Sequence, residues 1–257
     1  MHCRKLLYVL RNLLLASLWL YSTLDCKINV HTKSHHLVCQ VLSQQPDRSV
    51  TISSIGFLTN LQDLLASEPD DNSALDGVAL VRQKVRRIVL MGGRYPSSGH
   101  KYEWNFGGGD PSFVESEVGP KATNYTLSHL PAEVEVIFLG EEVGLRIKAG
   151  GSLSDCVPAS NPCSWVYDLY GVGPSGHASF DPATTLMGVR GVPGSGCTPD
   201  PYTVNGKGGH NIADAETGSN VWVDGASSNQ SYVELAHPVD ASASAIGAAI
   251  DALLCEH

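Results

Sequence analysis

Three short apolar runs, each stopped by a glycine, constrain the fold of this 257-residue chain more than any other feature. Between them, apolar residues recur at helical spacing, clearly over 58–65 and more weakly over 75–84. Strands separated by helices predict an α/β domain with an open, mostly parallel, Rossmann-like sheet and helices on both faces. The three runs cover residues 49–55, 85–91 and 134–139.

The second half of the chain has a different pattern. A helical stretch is predicted over 181–189, with Asp181 as its expected cap and a proline in its first turn. Residues 191–225 are rich in Gly, Pro, Asn and Asp, which predicts turns and edge hairpins around one strand at 221–223. An Ala-rich helix is expected over 240–253.

The loops after Ile55, Met91 and Leu139 are expected to lie side by side. The carboxyl ends of parallel strands meet at one edge of a sheet, and ligands of open α/β sheets bind beyond that edge. A functional site is therefore sought in these three loops.

Charge and composition exclude several classes of protein. Lys and Arg number 17 against 26 Asp and Glu, and the net charge of −9 repels the phosphate backbone of a nucleic acid. Hydrophobic residues make up 42% of the chain and charged residues 17%, which is typical of a globular domain and not of a disordered chain. We therefore expect no nucleic-acid partner, while the oligomeric state, a homo-oligomer included, stays open.

Residues 1–33 are predicted to form a hydrophobic segment ahead of a domain that covers 34–257. Its clean apolar part, 13–24, would span about 18 Å as a helix, too short for a bilayer core of about 30 Å. This length suits a signal peptide, but a buried helix and a wrongly assigned start of the reading frame also fit. The localisation stays open between secreted and cytoplasmic.

Seven cysteines, an odd number, exclude complete pairing into disulfides. Cys156 and Cys163 flank a Pro-rich loop and would close a small ring in a secreted protein. In a reduced protein the cysteines would be scattered small hydrophobic residues, and both interpretations stay open.

Glu103, Trp104 and Asn105 follow the second strand within a Gly-rich loop. A carboxylate, an aromatic face and an amide side by side suit the binding of a polyhydroxylated ligand. The alternative is a capped loop in which Trp104 is buried in the core.

Four motifs of this chain resemble the inosine/uridine-preferring nucleoside hydrolase family in their order and approximate spacing. The resemblance covers about 49–190, and it makes 34–257 a partial nucleoside hydrolase-like domain. The motifs are Gly56-Phe-Leu-Thr-Asn60, Val89-Leu-Met-Gly-Gly93, Glu103-Trp-Asn105 followed by Asp110-Pro111, and Phe180-Asp181-Pro182.

The resemblance implies a Ca²⁺-dependent enzyme whose substrate is a small nucleoside, hydrolysed at its N-glycosidic bond to ribose and free base. It implies contacts from Glu103 and Asn105 to the 5′- and 3′-hydroxyls of the ribose. Trp104 stands where the family commonly has Phe. Asp181 and the carbonyl oxygen of Ile55 are implied as calcium ligands.

The position of Phe180 is held by His in some members of the family and by an aromatic residue that stacks on the base in others. Phe cannot protonate a leaving group, and His177 is the nearest replacement. The loop before Glu103 has Ser97 and Ser98 where the family has an Asn, so that amide contact is expected to be absent.

The largest departure from the family is at the start of the chain. Members begin with a strand and an Asp-x-Asp-x-x-x-Asp-Asp run that binds calcium and activates water, and no such run occurs here. The only Asp pair, Asp70-Asp71, is expected to be a surface turn. Because calcium takes six to eight oxygen ligands, its binding is predicted to be weak or absent.

The first strand is therefore predicted to be missing or replaced, in a truncated or differently spliced family member with impaired hydrolysis. The alternative is a catalytically inactive protein, a pseudoenzyme that still binds ribose or nucleosides. A third, unrelated interpretation is a metal site formed by His210, Asp214 and Glu216. The base preference stays open.

Overall fold

The computed structural model describes residues 34–99, 103–107, 118–192, 200–225 and 228–256. The predictions for 1–33 lie outside these residues. Within the described ranges, none of the helices combines the length and the apolar character that a membrane span requires.

A five-stranded sheet forms the centre of the domain. The strands of the described residues are β1 (Val50–Ser54), β2 (Val85–Met91), β3 (Glu135–Leu139), β4 (Lys148–Ala149), β5 (His177–Ala178), β6 (Tyr202–Asn205), β7 (His210–Ala213), β8 (Asn220–Val223) and β9 (Gln230–Leu235). The central sheet has the order β1-β2-β3-β9-β6, in which the first four strands are parallel and β6 is antiparallel to β9. Two small antiparallel pairs, β4–β5 and β7–β8, lie outside it.

Helices cover both faces of this sheet, so the predicted α/β fold with a mostly parallel sheet is confirmed. The helices of the described residues are α1 (Ser34–Ser43), α2 (Thr59–Leu65), α3 (Gly77–Lys84), α4 (Trp104–Gly107), α5 (Val118–His129), α6 (Glu141–Arg146), α7 (Leu153–Cys156), α8 (Pro162–Leu169), α9 (Phe180–Arg190) and α10 (Val239–Leu254).

Each face of the sheet carries its own hydrophobic core, because successive side chains of a strand point to opposite sides. Ile88 and Phe138 face a core that α1, α2, α3 and α5 cover. Val89 faces the other core, in which it lies with Met187 of α9 and Ile246 of α10. The full burial of each such side chain contributes about 1.5–3 kcal/mol to stability.

The sequence pattern does not predict β9, although it lies between β3 and β6 in the sheet. Gln230 and Ser231 are polar but buried, and the carboxamide oxygen of Gln230 accepts a hydrogen bond from Asn211 N at 3.0 Å. Because of these polar residues, β9 lacks the apolar run by which the other strands of the sequence were predicted. The predicted strand at 221–223 is β8, which forms the expected hairpin with β7.

Helix α9 runs antiparallel to the strands and places its first turn at the carboxyl edge of the sheet. A Cβ on Gly188 would touch Val89 in the middle of β2, and one on Gly191 would approach the Arg87 guanidinium near the start of β2. At the other end of α9, Phe180 packs against Gly144. Ser179 precedes the helix, so Asp181 lies in the first turn and is not the cap.

The disulfide differs from the predicted ring, because Cys156 pairs with Cys255, 99 residues further along the chain. Cys163 is free and exposed. The backbone N–H of Cys163 donates to the Asn161 side chain, which caps α8. Cys255 directly follows α10 and lies beside Cys156 at the end of α7. The Cys156–Cys163 prediction is therefore wrong, since it considered neighbours in sequence only.

We expect Cys255→Ser to lower the free energy of unfolding by about 2–4 kcal/mol, because the bond to Cys156 constrains the unfolded chain across a long loop. Urea denaturation measures this change. Cys163→Ser is the matched control and should leave the midpoint unchanged, since the Cys163 thiol is free and exposed. Peptide mapping that pairs Cys156 with Cys163 would contradict the assignment.

Candidate active site at the carboxyl edge of the sheet

The loops after β2 and β3 are joined at the carboxyl edge of the sheet, as predicted. Gly92 N donates to Leu139 O at 3.1 Å, and Glu141 N donates to Gly93 O at 3.0 Å. The Arg94 guanidinium pairs with the Glu141 carboxylate at 2.6 Å. These contacts fix the backbone of the two loops without a ligand.

The two glycines that end β2 allow α4 to pack against the strand. A Cβ on Gly92 would lie 2.3 Å from the Phe106 ring, and Gly93 has a φ of +77°, which disfavours other residues. Phe106 is fully buried against them. Glycine is therefore required because an aromatic ring occupies the space beside the backbone.

The carboxylate of Glu103 is held inside the protein by backbone N–H groups. Gly93 N and Asn105 N donate to it at 3.0 Å, and Phe106 N donates at 3.3 Å. Only 3% of the residue is exposed. Burial raises the pKa of Glu103 from 4.5 to about 7, although these hydrogen bonds act in the opposite direction.

Asn105 lies beside Glu103 and is also buried. Its Nδ2 donates to Met91 O at 3.1 Å and is 3.1 Å from Met91 Sδ. The amide is thus anchored to the last residue of β2. Among the described residues no hydrogen bond engages its Oδ1, which leaves that acceptor for a ligand.

Trp104 points away from the core, and 53% of it is exposed. The alternative of a Trp104 buried in the core is therefore wrong. Its ring stacks with that of Phe57, with centroids 6.4 Å apart and planes at 24°. Sequence reasoning did not single out Phe57, because it lies in another loop, two residues after Ile55.

Asp181 and Ile55 lie at the same edge of the sheet. Asp181 is in the first turn of α9, and Ile55 follows β1 directly. Burial raises the pKa of Asp181 from 3.8 to about 6. The carboxyl group of Asp181 has no hydrogen-bond partner among the described residues.

These two residues do not make a calcium site. Calcium needs six to eight oxygen ligands, and the Asp181 carboxylate and the Ile55 carbonyl supply too few. Among the described residues, no group of three or more His, Cys, Asp and Glu side chains could hold a metal ion. Weak or absent calcium binding stays a prediction.

Phe180 and His177 belong to a neighbouring part of the structure. The Phe180 ring packs against Gly144 in α6. His177 is exposed, with Nδ1 2.9 Å from Ala178 O and its ring edge-on to Tyr170 at 5.0 Å. No contact of either residue with Glu103 or Trp104 occurs in the described ranges.

A buried polar network, which sequence reasoning missed, fixes the loop after β2. Tyr95 OH donates to Gly92 O at 3.1 Å and accepts from Asn211 Nδ2 at 3.0 Å. Asn220 accepts from Arg94 N at 3.0 Å and donates to Arg94 O at 2.9 Å. Burial raises the pKa of Tyr95 far above its usual range, so its hydroxyl stays protonated.

An amide from outside this loop, that of Asn220 on β8, contacts the loop after β2. Its backbone N–H donates to Ser98 Oγ at 2.7 Å. Asn220 is 126 residues from Arg94, so no local motif could have indicated this contact. Its side chain contacts Arg94 of the loop, and its Nδ2 also donates to Asn211 Oδ1 on β7 at 3.1 Å.

Two further sequence interpretations concern acidic residues away from this edge. His210, Asp214 and Glu216 do not form a metal site, because Asp214 Oδ1 instead accepts from Glu216 N, Thr217 N and Thr217 Oγ1 in a turn. Asp70 Oδ1 likewise accepts from backbone N–H groups of its own turn. The surface turn predicted for the Asp pair is confirmed.

Two open cavities, of about 410 and 390 Å³, lie along β7. Asn124 and Ile212 line both, and neither is lined by Glu103, Asn105 or Asp181. They are shallow spaces between α5 and the β7–β8 hairpin, without the buried ionisable groups that mark the carboxyl edge.

Comparison with known proteins supports the fold. No protein-family profile and no curated protein sequence matches the chain. The structure is similar to a plant nucleoside hydrolase, the PpNRh1 enzyme, with a TM-score of 0.54 and 16% identity, over 90% of this chain and 71% of that one. It is also similar to an inosine-uridine preferring nucleoside hydrolase from Bacillus anthracis, with a TM-score of 0.50 and 16% identity, over 86% of this chain and 64% of that one.

At this level of identity the likeness establishes the fold alone: a parallel sheet flanked by helices, as in these nucleoside hydrolases. The chain spans less than two thirds of the Bacillus protein.

We expect the free energy of unfolding to fall as the pH rises from about 5 to 8. The titration of Glu103 contributes up to about 3 kcal/mol to this fall. The folded protein holds the Glu103 proton up to a pKa of about 7, against 4.5 in the unfolded chain, so the folded state binds more protons in this range. Asp181, with its pKa raised to about 6, acts in the same direction. Urea denaturation across this range measures the slope.

Glu103→Gln removes the titrating group, and the difference between the two proteins isolates the contribution of Glu103. Equal slopes for the wild-type protein and Glu103→Gln would contradict the raised pKa.

Proposed function

We propose that this chain binds ribonucleosides at the carboxyl edge of its sheet, and that its activity is that of a nucleoside hydrolase. That reaction adds water across the N-glycosidic bond and gives ribose and a free base. The observation that carries the proposal is the buried pair Glu103 and Asn105, which lies at the start of α4, at the edge where open α/β sheets bind ligands. The fold likeness to two nucleoside hydrolases supports it.

Glu103 suits a sugar hydroxyl because its hydrogen-bonding capacity is nearly but not fully used. A carboxylate accepts about four hydrogen bonds, and three come from backbone N–H groups. We assign the remaining site to the ribose 5′-hydroxyl, and Asn105 Oδ1 to the 3′-hydroxyl. These contacts would strengthen as positive charge develops on the sugar, which favours the transition state over the ground state.

Departure of the base would be assisted by aromatic contacts and by a proton donor. We assign Trp104 to the nucleoside as a stacking surface, because it is exposed beside Glu103. Phe180 carries no proton to donate, so it would contribute only apolar contact. His177 is the candidate proton donor in this part of the chain, and its exposure requires that the segment holding it closes on the substrate.

Hydrolysis is proposed to be impaired because the water lacks an activating group. Both oxygens of Glu103 already accept hydrogen bonds, and Asp181 stands without further calcium ligands among the described residues. General-base assistance contributes about 10²–10⁴ in rate, and this contribution would be lost. Ca²⁺ is accordingly proposed to bind weakly or not at all.

The second candidate is a catalytically inactive protein that binds ribose or nucleosides. The observation that favours it is the contrast between the two halves of the site. Glu103 and Asn105 are ordered by hydrogen bonds, whereas Asp181 is left without a cation-binding partner in the described residues.

The purified chain should release ribose from inosine or uridine at least about 10²-fold more slowly than an intact nucleoside hydrolase assayed in parallel with calcium, because no activated water is available. A reducing-sugar assay measures the rate. Asp181→Ala should leave the rate unchanged. Turnover close to that of the intact enzyme, abolished by Asp181→Ala, would refute the impaired site.

At pH 8, where Glu103 is mostly ionised, Glu103→Gln should weaken the binding of inosine and of ribose by about tenfold, because one charge-assisted hydrogen bond to the sugar is lost. Isothermal titration calorimetry measures both affinities. Glu133→Gln, an exposed carboxylate paired with Arg82, is the matched control. Unchanged affinity in Glu103→Gln would refute the sugar contact.

A further inference from the structure

Asn229 is the first residue of an Asn-x-Ser/Thr tripeptide, Asn229-Gln-Ser231, and directly precedes β9. This tripeptide is the acceptor of N-linked glycans in proteins that pass through the secretory pathway. Since it occurs by chance in many chains, its place in the fold decides whether it can carry a glycan. Asn229 is exposed, and among the described residues no hydrogen bond engages its side chain.

The backbone around Asn229 is fixed, although its side chain is free. Val136 N of β3 donates to Asn229 O at 2.9 Å. Gln230 N donates to Ser228 Oγ at 3.2 Å, and Gln230 and Ser231 are buried in the sheet. A glycan on the amide nitrogen of Asn229 would therefore extend into solvent without displacing any of these contacts.

The other tripeptide of this kind, Asn124-Tyr-Thr126, lies inside α5 and has a different environment. Asn124 Nδ2, the atom to which a glycan would be attached, donates to Ala213 O of β7 at 2.8 Å. Thr126 is fully buried. A sugar on Asn124 would have to fit between α5 and the β7–β8 hairpin, so the fold accommodates a glycan at Asn229 and not at Asn124.

The disulfide between Cys156 and Cys255 is a second observation that points to the secretory pathway. Disulfides form and persist in oxidising compartments and are rare in cytosolic proteins. The lumen of the endoplasmic reticulum is such a compartment, and N-linked glycans are attached there. The disulfide and the exposed tripeptide are separate features of the chain, and one compartment supplies both modifications.

We propose that Asn229 carries an N-linked glycan and that Asn124 does not. In this reaction Asn229 Nδ2 forms a bond to the anomeric carbon of an oligosaccharide that is donated by a lipid-linked pyrophosphate. The bond between that carbon and the pyrophosphate oxygen breaks, and the lipid pyrophosphate leaves with the electron pair. One proton of the amide nitrogen is released.

The glycan would lie at the amino edge of the sheet, because Asn229 comes just before the first residue of β9, which runs parallel to β3. The six residues of β9 separate this position from the carboxyl edge by about 20 Å. The candidate site around Glu103 therefore stays accessible in the glycosylated protein.

The test uses the full chain, expressed with its own amino terminus in eukaryotic cells and purified as folded protein. Peptide N-glycosidase converts a glycosylated asparagine to aspartate, so peptide mass spectrometry after this treatment locates each occupied site. We expect conversion at Asn229 and none at Asn124, together with a loss of mass of the whole protein. A sample without the enzyme controls for spontaneous deamidation.

Asn229→Gln and Ser231→Ala each remove the tripeptide and should abolish the loss of mass. Asn229→Gln should fold like the wild-type protein, since the Asn229 side chain is exposed. Asn124→Gln is the matched control and should keep the loss of mass. A wild-type protein whose mass the enzyme does not change, a loss of mass that persists in Asn229→Gln, or conversion at Asn124 would overturn the inference.

Discussion

The ring of Phe106 packs against the backbone of Gly92 and Gly93, and the candidate site depends on this contact. This contact holds the short helix α4 against the end of β2. In this position the Glu103 carboxylate accepts a hydrogen bond from Gly93 N, and Asn105 Nδ2 donates one to Met91 O. Any side chain at Gly92 would displace the ring and, with it, both polar groups. The packing of Phe106 inside the core thereby determines where the side chains of Glu103 and Asn105 lie at the edge of the sheet.

Two carboxyl groups with raised pKa values, those of the buried Glu103 and the half-buried Asp181, lie at this edge. The pKa of Glu103 is raised to about 7 and that of Asp181 to about 6, in both cases by burial. Backbone N–H groups donate to the Glu103 carboxylate and act against this rise, whereas the Asp181 carboxyl group has no hydrogen-bond partner among the described residues.

The two proposed roles, an impaired hydrolase and a nucleoside-binding protein, share this ground-state recognition and differ only in water activation. Recognition needs fixed donors, acceptors and a stacking surface, which we propose that the loop after β2 and helix α4 supply. Catalysis needs in addition a group that activates the attacking water. The described residues supply the first requirement more completely than the second.

Much of the fold follows from local sequence. The glycine-ended runs became β1, β2 and β3. The apolar parts of β2 and β3 are buried between the helices of both faces, as is typical of parallel strands, whereas β1 lies at the edge of the sheet and is half-buried. The residues Glu103, Trp104 and Asn105 could be singled out because they are adjacent in the chain and follow a strand end. The strand β9 was not predicted, because it begins with polar residues and not with an apolar run. Its first residue, Gln230, is buried and accepts a hydrogen bond from Asn211 N.

The sequence by itself determined the first three strands of the central sheet, the edge at which they end and the polar motif placed there, since these depend on patterns within about ten residues. Only the tertiary structure decided which distant partners complete them. Cys156 forms a disulfide with Cys255 and not with Cys163. The Phe57 ring stacks with that of Trp104, and Asn220 accepts a hydrogen bond from Arg94 N. Such contacts depend on how whole helices and hairpins pack, and the packing of surfaces far apart in the chain leaves no periodic signal in the sequence.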